Sequence, residues 1–218
     1  MNARFIKNLK GRKLLTEKEV KDLLKDYKIP TTNYELVSCE EDLNKLNLKY
    51  PLVLKVCSPT YTHKTEVGGV RLGIKSNDEL IIAFKEFQKK FPNEKFLIES
   101  MENKGVEIII GVVEDSTFGL AIMLGLGGIY TELFKEVTFR IVPIDAKDAE
   151  NMIMEIKANE FIKGFRDMKM SKEALVDILL KTSRFALKHK DYIKELDLNP
   201  VFVREKDAIV VDARMVLK

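Results

Sequence analysis

Apolar residues along this chain alternate between helical spacing and the period of two, which predicts a regular exchange of helices and strands. Val20, Leu23, Leu24 and Tyr27 follow Thr16 and Glu19, a capping-box pair, so a first amphipathic helix is expected to stop near Ile29 and Pro30. A short strand is expected over 34–37. Ser38 with Glu41 repeats the capping signature ahead of a second helix expected to reach Tyr50 and Pro51. Residues 52–56 read as a strand, and a polar loop leads through Gly69 to another over 70–74. Ser76 and Glu79 cap a third helix carrying Leu80, Ile81, Phe84 and Phe87, and 96–99 returns to strand.

The second half changes character. Apolar strands over 106–113 and 120–124, joined by an acidic turn with Gly119, read as an antiparallel pair running into a glycine loop over 125–128. A strand over 138–143, helices over 146–156 and 172–188, and a closing hairpin over 196–203 and 208–213 complete the pattern. The order fits an α+β fold of two lobes, about 15–100 and about 101–218, after a leader over 1–14, with a nucleotide cleft between the lobes. Periodicity alone also permits a single α+β domain.

Composition adds exclusions. With 45% hydrophobic and 33% charged residues among 218, the chain can bury a substantial core. No apolar run reaches the roughly 20 residues a membrane helix needs, and no secretory signal opens the chain, so the cytoplasm is expected. Cys39 and Cys57, the two cysteines, have neither disulfide nor zinc spacing. The net charge is +3, with Arg4, Lys7, Lys10, Arg12 and Lys13 preceding the first acidic residue. Without aromatic interleaving, that leader reads as a solvated tail, and neither nucleic acid nor membrane is an expected partner.

Several residues carry candidate chemistry. Lys55 alternates with Leu54 and Val56, sharing a face with Val53; it is either a phosphate-binding point charge or a lysine snorkelling from the sheet. The next loop holds His63, Lys64, Glu66, Gly68 and Gly69. An imidazole can attack phosphorus near neutral pH, Lys64 adds charge, and the glycines let backbone amides approach a phosphate. Glu66 is expected to orient or protonate His63, on the ground of their shared loop. Glu99 and Glu107 either contact a ribose or cation or are sheet-edge charges. Asp197 and Asn199 share one strand face and Asp212 lies on the returning chain, an oxygen set suited to magnesium travelling with a nucleotide. Arg140 is a candidate phosphate ligand or a surface charge. Gly125, Gly127 and Gly128 match neither a Walker loop nor a dinucleotide fingerprint.

Taken in order, these segments resemble the β subunit, an ATP-grasp domain, of ADP-forming acetyl-CoA synthetases, relatives of succinyl-CoA synthetase. The resemblance runs from about Leu15 to the C-terminus. It is carried by ProLeuValLeuLys over 51–55, SerPro and HisLysThrGluValGlyGlyVal within 58–70, GluIleIleIleGly over 107–111, and PheGly at Phe118 and Gly119. GlyLeuGlyGlyIleTyrThrGlu over 125–132, PheArgIleValPro over 139–143, GluLeuAspLeuAsnPro over 195–200 and ValAspAlaArg over 211–214 complete it. Thr60 and Tyr61 depart from the family's usual residues after SerPro, and GlyPheArgAsp over 164–167 replaces its GlyValArgGly, leaving any role for Arg166 open.

The resemblance implies a ligase that interconverts acyl-CoA, ADP and phosphate with the free acid, CoA and ATP. It implies a hetero-oligomer in which an α subunit binds CoA and carries a first phosphohistidine. His63 would be the second, relaying the phosphoryl group, with catalytic roles also expected for Glu66 and Arg140. Lys55 would hold nucleotide phosphates, where the loop chemistry also puts Lys64, Gly68 and Gly69, while Glu99 and Met101 would line the adenine, Glu107 would contact the nucleotide, and Asn199 with Asp212 would hold Mg2+. The alternative is a regulatory ATP-grasp protein that binds nucleotide and transfers nothing.

Overall fold

The computed structural model describes residues 5, 9, 11–61, 64–128, 137–156, 159–164 and 169–218. Contacts divide the chain into a larger unit, bounded as Met1–Leu15, Glu19–Thr31 and Lys104–Lys218, and a smaller one, Thr16–Lys18 and Thr32–Asn103.

In the smaller unit, β1 (Tyr34–Val37), β2 (Leu52–Cys57), β3 (Val70–Ile74) and β4 (Lys95–Ser100) form a four-stranded antiparallel sheet in the order β1-β4-β2-β3. Leu52, Leu54, Val56, Phe96 and Ile98 point to one face and pack with Leu80, Ala83, Phe84 and Phe87 of a helix over Asn77–Lys90. Ser76 caps that helix by accepting from the Glu79 N–H at 3.2 Å, as the capping pattern predicts.

The second expected helix is overturned beyond its first turn, Glu40–Leu43. Leu43, Leu46 and Leu48 leave helical spacing and still reach the core, while the Asn47 N–H donates to Glu35 Oε1 at 2.8 Å and the Lys49 N–H to Ser100 Oγ at 3.1 Å. Outside partners for these amides replace the helical ladder. The cap is also displaced by one residue, from Ser38 and Glu41 to Cys39 and Asp42.

The larger unit is built on β5 (Val106–Asp115), β6 (Gly119–Leu126), β7 (Val137–Ile141), β8 (Ile193–Val203), β9 (Ala208–Val210) and β10 (Ala213–Leu217). Its antiparallel order is β10-β8-β5-β6-β7, with β9 on the far end of β8. The expected closing hairpin is thus two short strands that both pair with β8, separated by Val211 and Asp212. Helices over Ala146–Glu155 and Lys172–Lys188 bury Met152, Ile153, Leu175, Ile178 and Leu179 against Ile108, Ile110, Ile122, Leu124, Leu196 and Leu198. The opposite face carries Glu107, Ile109, Gly111 and Val113 of β5, with Glu195 and Asp197 beside them on β8.

Sequence order misplaces one element. The first helix, α1 (Glu17–Asp26), belongs from Glu19 onward to the larger unit, because Val20, Leu23 and Leu24 join that core. The end of the basic leader is also anchored: Leu14 bridges Val216, the Lys13 carbonyl accepts from the Leu217 N–H at 2.7 Å, and Arg12 clasps Glu19 at 2.6 and 3.0 Å. At these residues the leader is a sheet-edge segment, not a solvated tail. No helix among the described residues is long and apolar enough to cross a membrane.

Candidate functional site

In the smaller unit the alternation along β2 places Lys55 on the face away from the aromatic core, with Leu97 and Glu99 of β4 on that same face. Lys55 is only 4% exposed and Glu99 1%. An ammonium so deprived of water needs anionic partners, and Lys55 Nζ lies 2.9 Å from Glu99 Oε2 and 2.7 Å from Glu17 Oε1. The other oxygen of Glu17 holds Lys64. One carboxylate therefore gathers two lysines that lie 38 and 47 residues further along the chain.

The loop that supplies Lys64 is shaped by its glycines. Gly68 has φ +61, and a Cβ at Gly69 would stand 2.6 Å from Val56 Cγ1. Their amides are already engaged: the Gly68 N–H donates to the Thr65 carbonyl at 3.0 Å and the Gly69 N–H to the Lys64 carbonyl at 2.6 Å. The expectation that these two amides meet a phosphate is corrected accordingly; the glycines instead allow the tight return to β2, where the Val56 N–H donates to the Gly69 carbonyl at 2.9 Å. Tyr61, one of the departures from the family pattern, packs edge-on against Phe91 with ring centroids 5.0 Å apart. Glu66 is exposed. His63 lies outside the described residues, as does Arg166. Met101 follows β4 at 37% exposure, its N–H donating to the Pro51 carbonyl at 2.8 Å.

In the larger unit, Glu107 projects from the face of the sheet opposite the helices. The Gly127 N–H donates to its carbonyl at 2.7 Å, and a Cβ at Gly128 would stand 2.6 Å from Glu107 Oε2. The glycine loop is therefore what permits close backbone approach to this carboxylate. Asn199 and Asp212 are brought together at the break between β9 and β10, the Asn199 N–H donating to the Asp212 carbonyl at 3.2 Å.

Asp197, on the same strand face as Asn199, has its carboxyl pushed up to about 6, first by burial and then by the charges of Asp212 and Glu195, against a lowering by Arg214. Arg214 sits opposite Asp197 in the β8–β10 register, and its buried Nε has no hydrogen-bond partner. Asp197, already in the oxygen set read from the sequence, thus lies within electrostatic reach of Asp212 and of Arg214, which the sequence reading did not single out.

This donor set fits a divalent cation. It offers hard oxygens, and the neighbouring carboxylates disfavour the charge of Asp197, which a cation would favour. No three His, Cys, Asp or Glu side chains among the described residues gather into a cage, so such a cation would draw further oxygens from a nucleotide.

Arg140 is a correction. Paired with Ile122 across β6 and β7, it faces the helix-covered side of the sheet, away from Glu107 and Asp197. Glu155 clasps its guanidinium, with Thr138 Oγ1 at 3.3 Å and the Phe139 carbonyl at 2.8 Å as further acceptors. That clasp raises the Arg140 pKa and lowers that of Glu155. The arginine is engaged in fixing a helix to the sheet edge.

The fold and these sites define the class: the ATP-grasp domain family model matches residues 8–217. Subunit β of the acetate–CoA ligase [ADP-forming] II of Pyrococcus furiosus is 45% identical over 220 residues, which is 95% of this chain and 93% of that protein. The dinucleotide-forming acetyl-coenzyme A synthetase 1 of Ca. Korarchaeum cryptofilum, solved with coenzyme A and Ca-AMPCP, is 38% identical with a TM-score of 0.91, covering 99% of each chain. A second structure of that enzyme, with coenzyme A and Mg-AMPPCP and its phosphohistidine segment pointing towards the nucleotide binding site, is 38% identical with a TM-score of 0.84, over 97% of this chain and 96% of that one. The chain belongs to the family of ADP-forming acetate–CoA ligase β subunits.

Proposed function

We propose that this chain is the nucleotide-binding subunit of an ADP-forming acyl-CoA synthetase, acting in the cytoplasm as part of a hetero-oligomer. A partner α subunit binds CoA and passes a phosphoryl group from its own phosphohistidine. An imidazole nitrogen of His63 attacks that phosphorus, the N–P bond to the donor breaks, and a terminal oxygen of ADP then takes the group from His63 to give ATP. Phosphoryl transfer of this kind depends on positioning and charge neutralisation more than on covalent machinery.

The observation that carries the reading is the convergence of Lys55 and Lys64 on Glu17, which sets two cations at one place beside the segment containing His63. These lysines meet the nucleotide phosphates. Glu99 holds Lys55, Met101 lines the adenine, Glu107 contacts the nucleotide, and Glu66 orients or protonates His63. Gly68 and Gly69 give the loop its turn, and Asn199 with Asp212 holds Mg2+. When bound, Mg2+ neutralises charge on the nucleotide phosphates. Arg140 has no part in this set.

The test combines the chain with its candidate α subunit, ADP, phosphate, Mg2+ and a panel of acyl-CoAs beginning with acetyl-CoA, and follows ATP formation. Wild type is expected to form ATP and His63→Ala to form none. No ATP from wild type with any acyl-CoA removes the ligase reading and favours a nucleotide-binding regulator.

A further inference from the structure

Glu17 is assigned no part by the resemblance, yet it is the centre of the buried ion cluster. Its side chain is 3% exposed and its two oxygens hold different lysines, Lys55 at 2.7 Å and Lys64. With Glu99, the four side chains sum to zero charge. A phosphate arriving at Lys55 and Lys64 with Glu17 in place would meet a carboxylate that already offsets the charge of both lysines. Glu99 is fixed on a strand that has neighbours on both sides, paired across to Val53 and Tyr34. Glu17 stands at the first turn of α1, the only described segment contributing to this cluster that is not part of the sheet or its loop.

We propose that Glu17 is an internal stand-in for nucleotide phosphate: its carboxylate holds Lys55 and Lys64 together in the nucleotide-free chain and is exchanged for phosphate oxygens when nucleotide binds. The device keeps one buried and one partly buried ammonium group paired and poised, at a cost in nucleotide affinity. The inference rests on the reading of Lys55 as a phosphate ligand.

The test is titration of Mg-ADP into the purified chain by calorimetry, for wild type, Glu17→Gln, Glu17→Asp and Lys55→Gln, with thermal melts alongside. Removing the charge of Glu17 is expected to tighten ADP by about tenfold while lowering the melting temperature without nucleotide. A purely structural role would lower the melting temperature and leave affinity equal or weaker, and either result overturns the proposal. If Glu17→Gln does not fold, Glu17→Asp decides, since a side chain one methylene shorter weakens the hold on both lysines: tighter ADP supports the exchange, and equal or weaker ADP refutes it. Lys55→Gln separates the two claims. Unchanged ADP affinity there removes the phosphate-ligand reading itself, whereas lost affinity there with no tightening in the Glu17 variants removes only the stand-in.

Discussion

The backbone N–H of Asn199, within β8, donates to the Asp212 carbonyl at 3.2 Å, which brings together two residues with oxygen-bearing side chains. Asn199→Ala and Asp212→Asn are expected to weaken Mg-ADP by about tenfold or more, because a magnesium ion held by few protein oxygens cannot spare one. The same variants should change metal-free ADP binding much less. Calorimetry with and without Mg2+ checks this, and equal losses in both conditions would argue against a metal role.

Asp197 gives a pH dependence whose sign is fixed by burial. Its folded value of about 6 lies above the ordinary 3.8, so the folded chain holds this proton more tightly than the unfolded chain. The group favours folding below about pH 4, and that contribution is lost as pH rises through about 6. Asp197→Asn is therefore expected to be more stable than wild type near pH 8, by about 1–2 kcal/mol after solvent screening, with little difference near pH 4. Thermal melts across the range provide the check, and a wild type that equals the variant at the upper end contradicts it.

His189 behaves in the opposite sense. The ring is buried at the end of the Lys172–Lys188 helix, with Nε2 3.0 Å from the Tyr27 hydroxyl, and burial pushes its pKa down to about 4 from 6.5. The neutral ring favours folding above about pH 6.5, and stability is lost as pH falls from there toward about 4. His189→Gln should flatten that part of the stability profile relative to wild type, whatever it costs at neutral pH. A profile of unchanged slope would show that the imidazole is not responsible.

Arg140 should prove structural. Removing its clasp on Glu155, as in Arg140→Gln, is expected to cost at most about 1 kcal/mol, the range for a partly exposed ion pair. Mg-ADP affinity should stay within about twofold of wild type, since the guanidinium faces the helix-covered side of the sheet. Loss of affinity without loss of stability would restore the arginine to the nucleotide site.

Local pattern carried most of the architecture because it is a local property. Alternation in 52–56 put Lys55 on the face opposite Leu54 and Val56, and that is where it lies. The same argument put Asp197 and Asn199 on one face. What failed depended on tertiary partners. The second helix stopped after one turn because Glu35 and Ser100, far away in sequence, capture the amides of Asn47 and Lys49. Gly68 and Gly69 looked like phosphate-binding amides until the carbonyls of Lys64 and Thr65 proved to occupy them.

Glu17 was missed because nothing in ThrGluLysGlu distinguishes it from an ordinary first-turn acid. The one signal lay elsewhere, in a lysine within an apolar strand that had to find an anion. For Arg140 the choice between phosphate ligand and surface charge stayed open, because periodicity gives two faces to a strand without saying which of them the helices cover.

The central claim is that His63 carries a phosphoryl group exchanged with nucleotide, and the most direct measurement is mass spectrometry of the chain after incubation with ATP and Mg2+ under conditions that preserve acid-labile phosphate. A single phosphoryl group is expected on His63, removed by adding ADP and absent from His63→Ala. A phosphoryl group on another residue, or its persistence in His63→Ala at the same level, would contradict it.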